Sequence, residues 1–265
     1  ADTAANFSGG TGVASFDADG FTIKTSDTTW NASGSTYVFW SWKANGGTTS
    51  TNTTGNGIDT VVQANTTAGF SIITYTGNGT QSGQTVGHGL GAVPKMIISK
   101  DRTNSSNVVS WRVYHVGIGP TKYIELQSTA AESTFNDWDD TAPTSSVYSV
   151  GGAGGYTPTN TNNALYLAYV FAEVQGYSKF DSYVGNGNAA GPFVYTGFKP
   201  AFVLVKCIDA AGEWQIYDHK RPGYNFPNYN LSPNNATAEY QGASYHNMDI
   251  LSNGFKILLT DVAVI

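Results

Sequence analysis

Apolar and polar positions alternate along this chain in short runs, and each run ends at Gly, Asn, Asp or Pro. Residues 16–24 alternate around Asp19-Gly20, which predicts a strand beside a turn. Asn31-Ala32-Ser33-Gly34 marks a turn. Tyr37-Val38-Phe39-Trp40-Ser41-Trp42 follows, and its aromatic and β-branched content favours a strand. Residues 44–57 are almost wholly Gly, Thr, Ser and Asn, so a long exposed loop or linker is expected there. Beyond it, strands are expected at 58–63, 70–75, 85–89, 95–99, 109–115, 123–126, 147–150 and 165–173. A further set is expected at 179–183, 192–195, 201–207, 214–217, 229–231 and 255–259. No stretch sustains a 3.6-residue apolar stripe. Many short strands separated by glycine turns predict an all-β fold of antiparallel β-sandwiches or jelly rolls.

The pattern also repeats. Gly69-Phe70 … Tyr75-Thr76-Gly77-Asn78-Gly79 returns as Gly176-Tyr177 … Tyr183-Val184-Gly185-Asn186-Gly187. Pro94-Lys95-Met96-Ile97-Ile98 returns as Pro200-Ala201-Phe202-Val203-Leu204, and Trp111-Arg112-Val113-Tyr114 as Trp214-Gln215-Ile216-Tyr217. The offsets are 108 from Tyr75 to Tyr183, 106 from Pro94 to Pro200 and 103 from Trp111 to Trp214. Order is kept and loop lengths vary slightly, as in two copies of one unit of about 100 residues. The expected organisation is a partial N-terminal strand segment with its Thr/Asn/Gly linker over 1–66, a first repeat over 67–174, and a second repeat over 175–265. The second repeat lacks the closing strand that 165–173 supplies to the first.

That strand pattern recurs at the other end. Asp19-Gly20-Phe21-Thr22-Ile23 matches Asn253-Gly254-Phe255-Lys256-Ile257, and Tyr37-Val38-Phe39-Trp40 resembles Tyr169-Val170-Phe171-Ala172. Three arrangements satisfy this: a longer chain, a fold-back in cis, or strand donation to a neighbouring copy. The expectation drawn from it is that residues 37–42 pair with C-terminal strands. Tyr37, Phe39, Trp40 and Trp42 are the candidate interface residues, because both faces of this strand would be apolar.

Composition narrows the function classes. Of 265 residues, 12% are charged and the net charge is −6, a poor electrostatic match to nucleic acid or an anionic membrane. The abundant aromatics, 6 Trp, 16 Tyr and 13 Phe, argue against disorder. The single cysteine, Cys207, makes no intrachain disulfide and reads as a small buried hydrophobe. No apolar run reaches the roughly 18 residues of a membrane span and no signal-peptide pattern opens the sequence, so membrane insertion is not expected.

Chemistry-bearing residues are few. Asp137-Trp138-Asp139-Asp140 is the densest acidic stretch, with Glu125 and Glu132 upstream. A glycosidase needs two carboxylates about 5–9.5 Å apart in a cleft. This stretch adjoins Thr141-Ala142-Pro143 and has no counterpart in the second repeat, so it reads as a solvated loop. Asp137, Trp138, Asp139 and Asp140 are kept as candidate ligand-binding residues, with Ca²⁺ as the alternative ligand. Carboxylate pairs are expected to be scattered and exposed, with no cleft holding two of them beside Trp or Tyr. His88, His115, His219 and His246 match no zinc spacing and read as polar strand or loop residues. The Gly-Asn-Gly runs are hairpin turns rather than phosphate loops. The equivalent placement of Trp111 and Trp214 favours a packing role. No metal, cofactor or catalytic set is expected, and the protein reads as a non-enzyme.

The motifs Gly69-Phe70-Ser71-Ile72, Val86-Gly87-His88-Gly89-Leu90, Ala142-Pro143-Thr144-Ser145-Ser146-Val147-Tyr148 and Asp249-Ile250-Leu251-Ser252-Asn253-Gly254-Phe255-Lys256 resemble a repeated domain of tailed-bacteriophage structural proteins. Such domains are called lectin-like, either concanavalin A-like or SPRY-like. The resemblance runs from Phe16 onward. It implies tandem lectin-like sandwiches in a virion or tail-fibre protein, with other virion proteins, copies of itself and host-surface carbohydrate as partners. It carries no catalytic residues. A capsid-decoration or filament subunit is the alternative, and a glycan depolymerase a more distant one.

Overall fold

The computed structural model describes residues 12–24, 29–45, 47–103, 110–221, 229–241 and 248–258. The chain divides into two compact units, Thr3–Trp42 and the larger Lys43–Ile265, which also takes in Ala1–Asp2. The architecture is all-β, with antiparallel strand pairing throughout the named sheets. Among the described residues there is no helix, hence none long and apolar enough to cross a membrane.

In the smaller unit, β1 (Val13–Phe16) and β2 (Phe21–Ile23) form a hairpin. Asp17 closes its turn: its N–H donates to the Gly20 carbonyl at 2.8 Å, and its carboxylate accepts from Ser15 Oγ and Thr22 Oγ1. The strand expected over 37–42 is not formed. The Tyr37 hydroxyl accepts from the Ala32 N–H at 3.0 Å, and the Phe39 ring meets Phe21 edge-on at 5.1 Å. The sheet pairing expected of the segment therefore has no strand to rest on.

The larger unit opens with β3 (Ser50–Asn52), β4 (Thr60–Asn65), β5 (Phe70–Thr76), β6 (Gln84–Gly87) and β7 (Pro94–Asp101). It continues with β8 (Arg112–His115), β9 (Lys122–Glu125), β10 (Ser133–Thr134), β11 (Val147–Val150) and β12 (Leu165–Ala172). Eight of these make one sheet in the order β10-β9-β8-β7-β12-β5-β4-β3, while β6 and β11 pair as a second layer. Period-two alternation sends Ile73, Ile97, Tyr114, Tyr166, Ala168 and Val170 to one face. There they meet Val86, Tyr148 and Val150 of the second layer in one core. Met96, Val113 and Ile124 leave by the opposite face and pack with Trp214, alongside Ile98 and Leu204. Ser50–Asn52, expected within an exposed loop, is instead an edge strand. The side chains just after it seat on β6.

The second half contributes β13 (Phe193–Tyr195), β14 (Phe202–Val205), β15 (Gln215–Asp218), β16 (Tyr229–Asn230), β17 (Tyr240–Gln241), β18 (Met248–Leu251) and β19 (Gly254–Ile257). They form sheets β13-β19-β18, β14-β15 and β16-β17. The internal repeat recurs in the pairing register. Met96↔His115 through Ser99↔Arg112 in β7–β8 corresponds pair for pair to Phe202↔Asp218 through Val205↔Gln215 in β14–β15. Likewise Val86↔Tyr148 corresponds to Val194↔Phe255. Trp111 and Trp214 precede equivalent strands and carry equivalent bonds. The Trp111 N–H donates to Gln127 Oε1 at 2.9 Å and the Trp214 N–H to Asn234 Oδ1 at 3.0 Å. The strand expected at 179–183 is not formed. Its counterpart β5 lies between β4 and β12, and among the described residues no strand flanks 179–183, so it has no ladder to join. The result is a pair of tandem antiparallel sandwiches, the first with the larger sheet.

Candidate functional site

The acidic stretch is not the solvated loop its local sequence suggests. Trp138 is 1% exposed and sits edge-on to both Tyr114, at 5.9 Å, and Tyr148, at 6.2 Å. Burial of this large ring draws its neighbour inward, and Asp137 is 0% exposed. The Asp137 carbonyl accepts from Thr159 Oγ1 at 2.6 Å. Asp139 and Asp140 hold left-handed backbone with φ of 49° and 45°. Asp139 Oδ2 accepts from the Gly83 N–H at 2.7 Å, tethering the loop to the turn before β6. Asp140 alone is exposed.

Arg112 lies between the buried Asp137 and the half-buried Glu125. Its Nε lies 3.6 Å from Asp137 Oδ2 and its Nη1 lies 3.3 Å from Glu125 Oε1. Its guanidinium carbon stands 3.9 Å from the centre of the Tyr123 ring, and Nη2 donates to the Tyr156 hydroxyl at 3.4 Å. The expectation that carboxylates are scattered and exposed therefore fails here. β8 and β9 impose the arrangement, because Arg112 and Glu125 are directly opposed in the ladder. Burial pushes the Asp137 carboxyl up to about 6; Arg112 opposes that rise and Glu125 adds to it. Burial alone would weaken the Arg112 cation, yet Asp137 and the Tyr123 and Tyr156 hydroxyls hold its pKa above the ordinary value. In the second repeat Gln215 and Asn230 occupy the positions of Arg112 and Tyr123, bonded to each other as a neutral amide pair. The second repeat carries no charge at these positions; its own buried cation, Arg221, pairs with Asp218 and Glu239.

A folded-state carboxyl pKa above its unfolded value removes stability as pH rises from about 4 through about 6. At about 1.4 kcal/mol per unit, two units amount to up to about 3 kcal/mol. His88 acts oppositely, since burial lowers its pKa and acid then costs stability. The difference between profiles isolates Asp137: the unfolding free energy of Asp137→Asn, taken relative to the natural protein, should rise between pH 4 and 6. Parallel profiles would refute the assignment.

His88 is fully buried; its Nε2 faces the Thr144 carbonyl at 3.2 Å and its Nδ1 accepts from the Leu90 N–H, so it carries its proton on Nε2. It is the loop residue expected, directly after β6, though a buried one. His115 Nδ1 accepts from the Gly117 N–H, His219 is exposed, and His246 lies outside the described residues. Cys207 is a half-buried free thiol. Among the described residues no group of three His, Cys, Asp or Glu converges as a metal site. Trp214 packs between the repeats and donates Nε1–H to the Glu125 carbonyl at 2.9 Å, while Trp111 stacks on Tyr169 at 6.5 Å.

Large aromatics at the surface are the feature that alternation alone leaves undecided. In the smaller unit Phe39 is 68% exposed, Tyr37 and Trp42 are exposed as well, and Trp40 is half-buried. In the second repeat, Phe193 and Tyr195 of β13 are exposed, the latter by 65%. Asp137 is fully buried, whereas Phe39, Phe193 and Tyr195 present much of their rings at the surface.

No curated protein and no solved structure matches this chain. The model of a family described as a domain of unknown function, DUF7483, matches residues 1–264, and the chain belongs to that family.

Proposed function

We propose that the protein is a non-enzymatic structural component of a tailed-phage particle, in a tail fibre or similar appendage, whose lectin-like sandwiches attach it to carbohydrate on the host surface. The observation that carries this reading is the partition of its chemistry. Asp137 is buried beside Arg112 and Asp218 beside Arg221, while large aromatics stand at the surface. Catalysis on a glycan needs carboxylates in contact with the scissile bond, and Asp137 has no exposed surface. Adhesion needs what the surface offers, exposed rings among polar neighbours. The motif resemblance supplies the particle context, with other virion proteins and copies of the chain as partners.

The exposed Phe39, Tyr37 and Trp42 favour a second reading, a capsid-decoration or filament subunit that assembles through its smaller unit. One experiment separates the readings. Gold-labelled antibody should mark the particle's appendages, and the purified protein should compete with particle adsorption to host cells. Labelling of capsid or filament without competition overturns the adhesin reading. Release of reducing sugar from host polysaccharide overturns the non-enzyme.

A further inference from the structure

The sheet β13-β19-β18 has two unlike faces. Val194, Phe255, Met248 and Ile257 point inward to the core of the second repeat. Directly opposed residues share a face, so the outer face carries the row Phe193–Lys256–Asp249 and the row Tyr195–Gly254–Leu251. The two rings lie across glycines. A Cβ on Gly254 would come within 2.9 Å of Phe193 Cζ, and one on Gly197 within 3.6 Å of the Tyr195 hydroxyl. Each ring thus lies against a glycine and keeps about half or more of its surface exposed, 46% for Phe193 and 65% for Tyr195.

The first repeat holds the same positions differently. By register, Thr85 stands for Phe193, Gly87 for Tyr195, Val147 for Gly254 and Ser149 for Lys256. There the face is covered from within the chain. The Asn56 N–H donates to Thr85 Oγ1 at 2.7 Å, the Thr85 N–H donates to the Asn56 carbonyl, and Asn52 and Thr54 occupy the space a Gly87 side chain would need. A face merely left uncovered would keep small polar residues. Here two have become aromatic, and a valine has become the glycine that seats one of the rings.

We propose that this outer face is a glycan-binding subsite that stacks a hexopyranose on Phe193 and Tyr195 and hydrogen-bonds its hydroxyls through Lys256 and Asp249; the inference rests on the adhesin reading above. The electron-rich ring faces attract the C–H side of a sugar ring. Lys256 supplies donors and Asp249 acceptors, the two functions a diol requires. Among the described residues neither side chain has an ion-pair or side-chain hydrogen-bond partner. Two interstrand spacings separate Phe193 from Asp249, about 10 Å, the span of a disaccharide. Size decides against a protein partner. Three strands by three residues cover on the order of 150 Å², against about 800 Å² per partner in a stable protein complex.

The test applies the full chain to a printed array of bacterial surface polysaccharides with periodate-oxidised duplicates, alongside sedimentation velocity. The natural protein should bind a subset of spots and lose them after oxidation. Phe193→Ala/Tyr195→Ala, with unchanged circular dichroism, should lose at least about tenfold in affinity. Asp249→Asn should also weaken binding. Retained binding in the double variant overturns this subsite and leaves the adhesin reading standing. Absence of periodate-sensitive binding by the natural protein overturns both. Self-association that disappears in the double variant assigns the face to a second copy and overturns the glycan.

Discussion

Arg112→Met is expected to lower the free energy of unfolding by about 3–5 kcal/mol at neutral pH. The methionine fills much of the arginine stem's volume, so the loss is electrostatic rather than a cavity. Asp137, with no exposed surface, and Glu125 would face each other without the cation between them. The cost is fullest above about pH 6, where Asp137 is ionised in the natural protein, and shrinks towards pH 4 as Asp137 takes up its proton. Urea unfolding at pH 7.5 and pH 4.5 checks both parts. A loss below about 1 kcal/mol, or one equal at the two pH values, would show that the cluster does not bear on stability in this way. Replacing Arg112, Glu125 and Asp137 together by apolar residues should recover most of the loss, because the desolvation of three charges disappears with them.

Trp138→Ala should cost about 3–5 kcal/mol and lower Tm by on the order of 10 °C. The indole fills the layer between the eight-stranded sheet and β6–β11, with Tyr114 on one side and Tyr148 on the other. Neither tyrosine can collapse into the vacated space without leaving its own packing, so the cavity persists. Removal also frees the backbone that carries Asp137, which couples this loss to the Arg112 cluster. The exposed Phe16→Ala is the control and should stay within about 0.5 kcal/mol. A Trp138→Ala protein as stable as that control would contradict the burial.

Strands were legible where alternation and turn residues agreed. β5, β7, β11 and β12 lie where their patterns place them, and Asp19-Gly20 does end a hairpin. Residues 37–42 and 179–183 were misread for one reason. Aromatic and β-branched content describes fitness for a pleated surface, and neither segment has a neighbouring strand among the described residues to supply that surface. The acids were misread for another. Asp137 looks like loop beside Thr141-Ala142-Pro143, and its partner Arg112 lies on β8, in a motif where it passes as one more alternating residue. Only the ladder that opposes Arg112 to Glu125 brings the three together. The exposed pair on β13 escaped notice because a period of two assigns side chains to faces without saying which face is covered.

The strand order of the large sheet has a consequence for how the chain assembles. β3, β4 and β5 are consecutive neighbours, and so are β7, β8, β9 and β10, so each set can zip up from local turns. β12 alone joins them, and it is the last of these strands to leave the ribosome. Until it arrives, two half-sheets present facing unpaired edges. The rate at which the fold is reached is then governed by one late, long-range closure, whose loop entropy is met before its ladder is rewarded. The same strand is the seam along which the sheet would part.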